Sequence, residues 1–418
     1  MKRRILLKGP LLTRSGYGEQ ARFALRSLRS REDLFDIFIQ PLQWGKTSWA
    51  SEMDEERVWI DQTIEKTIGY VQSGGQFDAS LQVTIPNEFE RLAPVNIGYT
   101  AGIETNKVSP QWIQKANATV DKVIVVSNHS KKTFLDTRYT IQNSQTGETI
   151  NDWGLQVPVE AVNYPVRMTD PEPLDIDLTT SNNFLVVSQW GPRKNLENTI
   201  RWFVQQFEDN EDVGLIVKTN TASDSIMDRE FTAARLTALL GENPNRKCKV
   251  YLVHGELSPS QLTWLYQHDT MKALINIGHG EGFGLPLFEA AYNGLPLITI
   301  PWSGQMDFIC KPNKKGKKYP RVARVDFDIK QVQPEAVWNG VVQKDSMWAY
   351  AKEQSYKRAL QDVLERQEYY RKEAEALKNY ILEEFTEEKM LAAFAERVYN
   401  PSEEELEWMQ ALGEIEIL

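Results

Sequence analysis

Two carboxylates, Glu281 and Glu289, bracket a glycine-rich turn in His279-Gly280-Glu281-Gly282-Phe283-Gly284-Leu285-Pro286-Leu287-Phe288-Glu289-Ala290-Ala291. Gly278, Gly280, Gly282 and Gly284 alternate through a loop, Pro286 suits the first turn of a helix, and Gly294 stops that helix. A loop of this kind offers a phosphate free backbone N–H groups and the positive end of a helix dipole. Glu281 falls in the loop and Glu289 about a turn into the helix. A second concentration of chemistry is Gln189-Trp190-Gly191-Pro192-Arg193-Lys194-Asn195, which follows an apolar run and precedes a helical pattern. There Arg193 and Lys194 outline a pyrophosphate clamp. Without its context the basic pair would be solvated surface charge, and Glu289 a carboxylate serving its own helix N-terminus.

These side chains need strands to deliver them. Residues 273–277 and 295–300 read as buried strands on either side of the glycine loop, making a βαβ unit. Residues 184–188 form the strand ahead of Arg193, while 213–218 and 249–255 bring Lys218 and His254 to strand ends. The N-terminal half repeats the pattern: residues 4–7 lead into a small-residue loop containing Gly16 and Gly18, then a helix through Leu28. Residues 36–39, 79–83, 95–99 and 123–127 supply further strands. Glu104, in the loop after one of them, is either a substrate contact or a solvated carboxylate. Residues 44–59 read as irregular, with some helix to Gly69; 137–154 read as a protruding polar loop, and 159–166 as one more strand. Prolines and acids at 168–173 mark a linker, 345–398 read as nearly all helix, and 402–407 as an acidic exposed helix. The expected class is α/β, with two Rossmann-like, doubly wound parallel-sheet domains facing across a cleft. The expected boundaries are 1–170, 171–345, and 346–418 as helices packing back toward the first domain.

The run Glu281-Gly282-Phe283-Gly284-Leu285-Pro286-Leu287-Phe288-Glu289-Ala290 resembles the E-x7-E signature of the retaining GT-B glycosyltransferases of family 4, also called group 1. Residues 190–195, the Ser15-Gly16-Tyr17-Gly18 loop and the order of elements add to the likeness. The resemblance implies a nucleotide-sugar in the C-terminal domain and an acceptor in the N-terminal one. It places Glu281 at the transferred sugar, Glu289 on the ribose hydroxyls, and Arg193 and Lys194 on the diphosphate. Gly16 and Gly18 would close over the phosphates, and Lys218, His254, Gly282, Phe283, Gly284 and Leu285 would complete the donor site. The acceptor loop, Thr100-Ala101-Gly102-Ile103-Glu104, lacks the histidine the family often places there, leaving Glu104 as its candidate contact. The donor would be a UDP- or GDP-linked sugar and the acceptor an unspecified hydroxyl. Transfer to a glycan, lipid-linked or small-molecule acceptor is the favoured reading. A macromolecular acceptor, such as a modified DNA base or protein side chain, is the alternative, ahead of a sugar-nucleotide isomerase.

The composition sets bounds on this. With 418 residues, 41% hydrophobic and 25% charged, the chain has room for two cores. A net charge of -10 supplies no global basic field for nucleic acid or anionic membrane. Cys248 and Cys310 are too few for a disulfide scaffold, and no apolar run reaches membrane-spanning length, so a soluble cytoplasmic chain is expected. The D-x-D triplets at 175–177 and 326–328 read as chance, and His129, His254, His268 and His279 have no ligand spacing, so neither metal nor cofactor is expected. His279 could touch substrate or hold its loop, and Asp307, after the next strand, is a further donor-pocket candidate. The basic run at 311–318 is a solvated loop or a guide for an anionic acceptor.

Overall fold

The computed structural model describes residues 2–45, 47–50, 52–142, 147–312 and 315–400. The first half runs β1 (Arg3–Gly9), α1 (Gly16–Arg29), β2 (Phe35–Pro41), α2 (Glu55–Gln72), β3 (Ala79–Val83), β4 (Val95–Thr100), α3 (Pro110–Thr119), β5 (Lys122–Val125) and α4 (Asn128–Asp136). It continues with β6 (Tyr139–Gln142), β7 (Thr149–Trp153) and β8 (Val159–Ala161). An extended stretch then leads to β9 (Asn182–Val187), α5 (Leu196–Gln206), β10 (Val213–Lys218), α6 (Ile226–Leu240), β11 (Lys249–Val253), α7 (Pro259–Gln267), β12 (Met271–Asn276) and α8 (Leu285–Tyr292). After these come β13 (Leu297–Thr299), α9 (Met306–Ile309), β14 (Cys310–Pro312), β15 (Lys318–Pro320), β16 (Ala323–Arg324), β17 (Phe327–Gln331), β18 (Met347–Ala351), α10 (Glu353–Glu365), α11 (Gln367–Glu384) and α12 (Glu387–Val398).

Two six-stranded sheets form, ordered β2-β1-β3-β4-β5-β8 and β11-β10-β9-β12-β13-β16, with parallel pairing throughout. Near-continuous apolar strands such as β9 and β12 suit sheets covered on both faces by helices. In the second sheet the chain winds outward from β9 in one direction and resumes at β12 in the other. The crevice beyond the carboxyl ends of β9 and β12 is therefore the topological switch point, where open α/β sheets bind ligands.

Several local expectations change. An 18-residue helix, capped by Asp54 on the N–H of Arg57, starts within the supposedly irregular stretch at Glu55 and runs past Gly69. Only residues 159–161 of the expected 159–166 strand pair with β5. The polar insertion contains an antiparallel hairpin, β6–β7, with Tyr139 and Trp153 packed at its base. The nearly all-helical C-terminal region starts with a strand, β18, paired antiparallel with β17, where Ala349 is buried in the second core and Trp348 is buried against His279. Asp328, in one D-x-D triplet, pairs with Lys330 and Lys352. The supposed acidic tail helix lies outside the described residues.

The two halves share a core. Phe394 of α12 packs on Phe23 of α1 and on Tyr99 of β4, with ring centroids 5.2 and 4.7 Å apart. Phe23 touches Tyr164, Tyr164 touches Phe283, and Phe283 touches Phe288 and Phe308. The column runs from the C-terminal helix through the first domain into the glycine-rich loop of the second. Phe394→Ala should lower stability by about 3–5 kcal/mol, as typical of a large ring removed from a packed core. An unchanged denaturant midpoint would show that the column does not hold the halves together.

Candidate functional site

The glycine-rich loop and the basic pair meet at the switch point. Lys194 Nζ donates to Glu281 Oε1 at 2.6 Å, and Arg193 NH1 donates to Glu281 Oε2 at 3.0 Å and to the Gly280 carbonyl at 2.8 Å. Asn276, the last residue of β12, donates to Glu281 Oε1 at 2.9 Å, and the Glu281 N–H donates to Ser303 Oγ at 2.9 Å. The Glu281 side chain is only 7% exposed. Burial would push its carboxyl up, but the charges of Lys194 and Arg193 overcome this and hold it at about 2. Burial and the adjacent Arg193 push the Lys194 ammonium down, against the pull of Glu281. An ionised carboxylate thus holds two cations in fixed positions.

The helix start beside them has no side-chain cap. Gly284 caps α8 in the left-handed region at φ 95, and no side chain caps the helix, leaving the N–H groups of its first turn for an anion. Phe283 points into the aromatic column and is 3% exposed, so this loop presents backbone rather than the Phe283 ring to the cleft. Leu285 is half-buried. A Cβ on Gly282 would lie 2.2 Å from Gly102 Cα, so the signature loop touches the first domain backbone to backbone.

Glu289, one helical face further on, has a different environment. Tyr266 Oη donates to its Oε2 at 3.0 Å, and no cation is among the groups that shift its carboxyl. Burial pushes the carboxyl up, the tyrosine offsets part of the rise, Glu19 of α1 adds to it, and the result is about 7.

From the first domain, Glu104 reaches Arg193 at 3.5 Å. Its neighbours dock on the second domain: Asn106 exchanges backbone and side-chain hydrogen bonds with Met347, and Lys107 pairs with Asp345. Arg14 pairs with Glu256 across the opposite side of the cleft. Gly18 packs within its own turn, where a Cβ would lie 2.0 Å from the Thr13 carbonyl, whereas Gly16 faces open space. Lys218 donates to the Gly255 carbonyl at 2.7 Å, joining the ends of β10 and β11. His254 donates to Asp228 at 2.8 Å with its ring 2% exposed, and Asp228 accepts from the N–H groups of Thr221, Ala222 and Ser223. His254 therefore braces the loop after β10. His279 Nδ1 donates to the Ala349 carbonyl at 2.7 Å and its ring stacks on Trp348, so it holds its loop to β18. Asp307 accepts from the Asn128 N–H and the Asn163 amide of the first domain.

Sequence reasoning missed Asn276, Ser303, Tyr266, Asp228 and Gly102. Asn276 carried a signal as the polar end of an apolar strand; the others become visible only when separate loops meet. Among the described residues no group of three or more His, Cys, Asp or Glu could hold a metal ion, and no helix is long and apolar enough to cross a membrane.

No family model matches the chain. Among curated proteins it is similar to the serotype-specific mannosyltransferase WbdA of Escherichia coli, with 26% identity over 196 residues. The match takes in 45% of this chain and 22% of that protein, so the chain spans well under half the length of this relative. Solved structures match over almost the whole chain. A sucrose-phosphate synthase from Thermosynechococcus elongatus aligns with TM-score 0.59 at 12% identity, over 95% of this chain and 98% of that one. A UDP-forming α,α-trehalose-phosphate synthase from Burkholderia xenovorans gives 0.58 at 11%, over 96% and 99%. Anabaena HepE in complex with UDP and glucose gives 0.56 at 12%, over 95% and 99%. The fold is that of the GT-B glycosyltransferases.

The contrast between the two glutamates gives a stability test. The Glu289 carboxyl is raised from 4.5 to about 7, so its contribution is fully present below 4.5 and is lost as pH rises through 7. The full effect is at most about 3 kcal/mol. Glu289→Gln, which cannot ionise, should therefore gain stability relative to the parent between pH 5 and pH 8 in paired denaturant titrations. A constant difference across that range would contradict the raised value.

Proposed function

We propose that the chain is a retaining glycosyltransferase that moves a hexose from a UDP- or GDP-linked donor to an acceptor hydroxyl on a glycan, lipid-linked or small-molecule substrate. The observation that carries this reading is the convergence of Lys194, Arg193 and the uncapped start of α8 on one point at the switch point, held there by Glu281. As the bond from the sugar to the diphosphate breaks, its electron pair leaves with the phosphate. Cations and backbone N–H groups already in place stabilise that charge without reorganising. Positive character on the sugar ring would be eased by the Glu281 carboxylate, which stays ionised at neutral pH.

Glu289 accepts the ribose hydroxyls, a pairing that favours its ionised form. Glu104, already in contact with Arg193, stands on the acceptor side. The mannosyltransferase similarity supports a hexose, the UDP of two structural neighbours supports a nucleoside diphosphate, and the E-x7-E likeness supports retention. A cytoplasmic location goes with this donor chemistry.

Lys194→Ala and Glu281→Gln should each lower donor hydrolysis and transfer by about 10²–10³-fold, measured below the melting temperature of each variant, which loss of a buried ion-pair partner should itself lower. Turnover at the parental rate in either variant refutes its assignment. Nucleotide binding at pH 6 should release a proton, because Glu289 with a carboxyl near 7 must ionise to accept the ribose. Calorimetry in buffers of different ionisation enthalpy reads this release, and its persistence in Glu289→Gln would remove Glu289 from the ribose.

A further inference from the structure

A cavity of about 460 Å³ borders the segment that carries the basic pair, where Gly191, Pro192 and Asn195 line it. Its volume falls within the roughly 300–1,000 Å³ range of small-ligand pockets. His279 of the glycine-rich loop also lines it, but Arg193, Lys194, Glu281 and Glu289 do not. Trp190, Leu196 and Tyr350 give it apolar and aromatic walls, while Asn198, Arg235 and Glu335 bring an amide, a guanidinium and a carboxylate to it.

The walls are firmly built. Arg235 lies over the Trp190 ring at 4.5 Å and pairs with Glu197 at 2.7 Å. The Tyr350 hydroxyl donates to Gln333, which also accepts from the Trp348 indole. Trp190 is 4% exposed, yet its indole N–H has no partner among the described residues.

We propose that this cavity is a second saccharide-binding site, independent of the transfer site. Its chemistry separates a sugar from other ligands. Glu197 and Glu335 line it beside its single arginine, and Arg235 is already committed to Glu197, so an anion would meet net negative charge. A purely apolar ligand would cover the Glu335 carboxylate without offering it a donor. A neutral polyhydroxylated ring meets both requirements: its C–H faces lie against the aromatic walls, and its hydroxyls donate to the Glu335 carboxylate and accept from the Asn198 amide.

The test titrates the full chain with mannotriose and, separately, maltotriose, followed by saturation-transfer difference NMR in the presence of UDP. One of these saccharides should bind the parent and Glu281→Gln alike. The same saccharide should bind the double variant Asn198→Ala/Glu335→Ala at least about tenfold more weakly. Both substituted positions lie outside the buried core, so the variant should fold, and its parental melting temperature checks that it does. Three results overturn the proposal: unchanged binding in the double variant, loss of binding in Glu281→Gln instead, and no signal from either saccharide. Displacement by inorganic phosphate does so too, by marking an anion site. UDP binding read in the same samples reports separately on the cleft, so failure here is distinguishable from failure of the transferase reading.

Discussion

The site depends on one buried ion cluster, the Glu281 carboxylate with Lys194, Arg193 and Asn276. A charge removed from water costs several kcal/mol unless paired and hydrogen-bonded, so no member of this cluster can be buried alone. The loop after β9 therefore has to close on the loop after β12. Ser303, held at a φ of 68, completes the cluster by accepting the Glu281 N–H. Both cations are thus fixed by a carboxylate of the protein itself, and the ordering cost is met during folding.

The same loop is also a structural joint. Gly282 meets Gly102 across the cleft at a distance that no side chain on either could occupy. Phe283 is a link in the aromatic column joining the domains, and Gly280 lies so close to the Glu104 backbone that a Cβ would fall 2.0 Å from the Glu104 carbonyl oxygen. Between the two glutamates, the glycines and phenylalanine secure the loop against the first domain. Arg193, held by Glu281 on its own domain and by Glu104 on the other, ties the electrostatics of the site to the same contact.

The α/β alternation, both parallel sheets and the pairing of the glycine loop with the basic segment were legible because they rest on local apolar runs and on glycine and proline placement. The partners of Glu281 beyond Arg193 and Lys194 were not, because Asn276 and Ser303 reach it through loop closure that leaves no periodic trace. Strand β18 was hidden for a related reason. The local composition of residues 345–398 favours helix, but Ala349 is buried in the second core, Trp348 against His279, and the antiparallel pairing with β17 prevails. His254 and His279 stood out as unusual residues near the site, yet each is taken up by one structural hydrogen bond, to Asp228 and to the Ala349 carbonyl.

Glu281 and Glu289 are the same residue type on one short stretch, and what distinguishes them is their partners. Two cations reach Glu281 and hold it near 2; a neutral tyrosine reaches Glu289, which burial leaves near 7. Carboxylates separated in this way suit different tasks at one pH. Glu281 keeps its charge whether or not a ligand is present, as an element holding two cations must. Glu289, near 7, gains or loses its charge across the neutral range. When Glu289 is protonated, α8 is spared the burial of an unpaired anion facing Glu19.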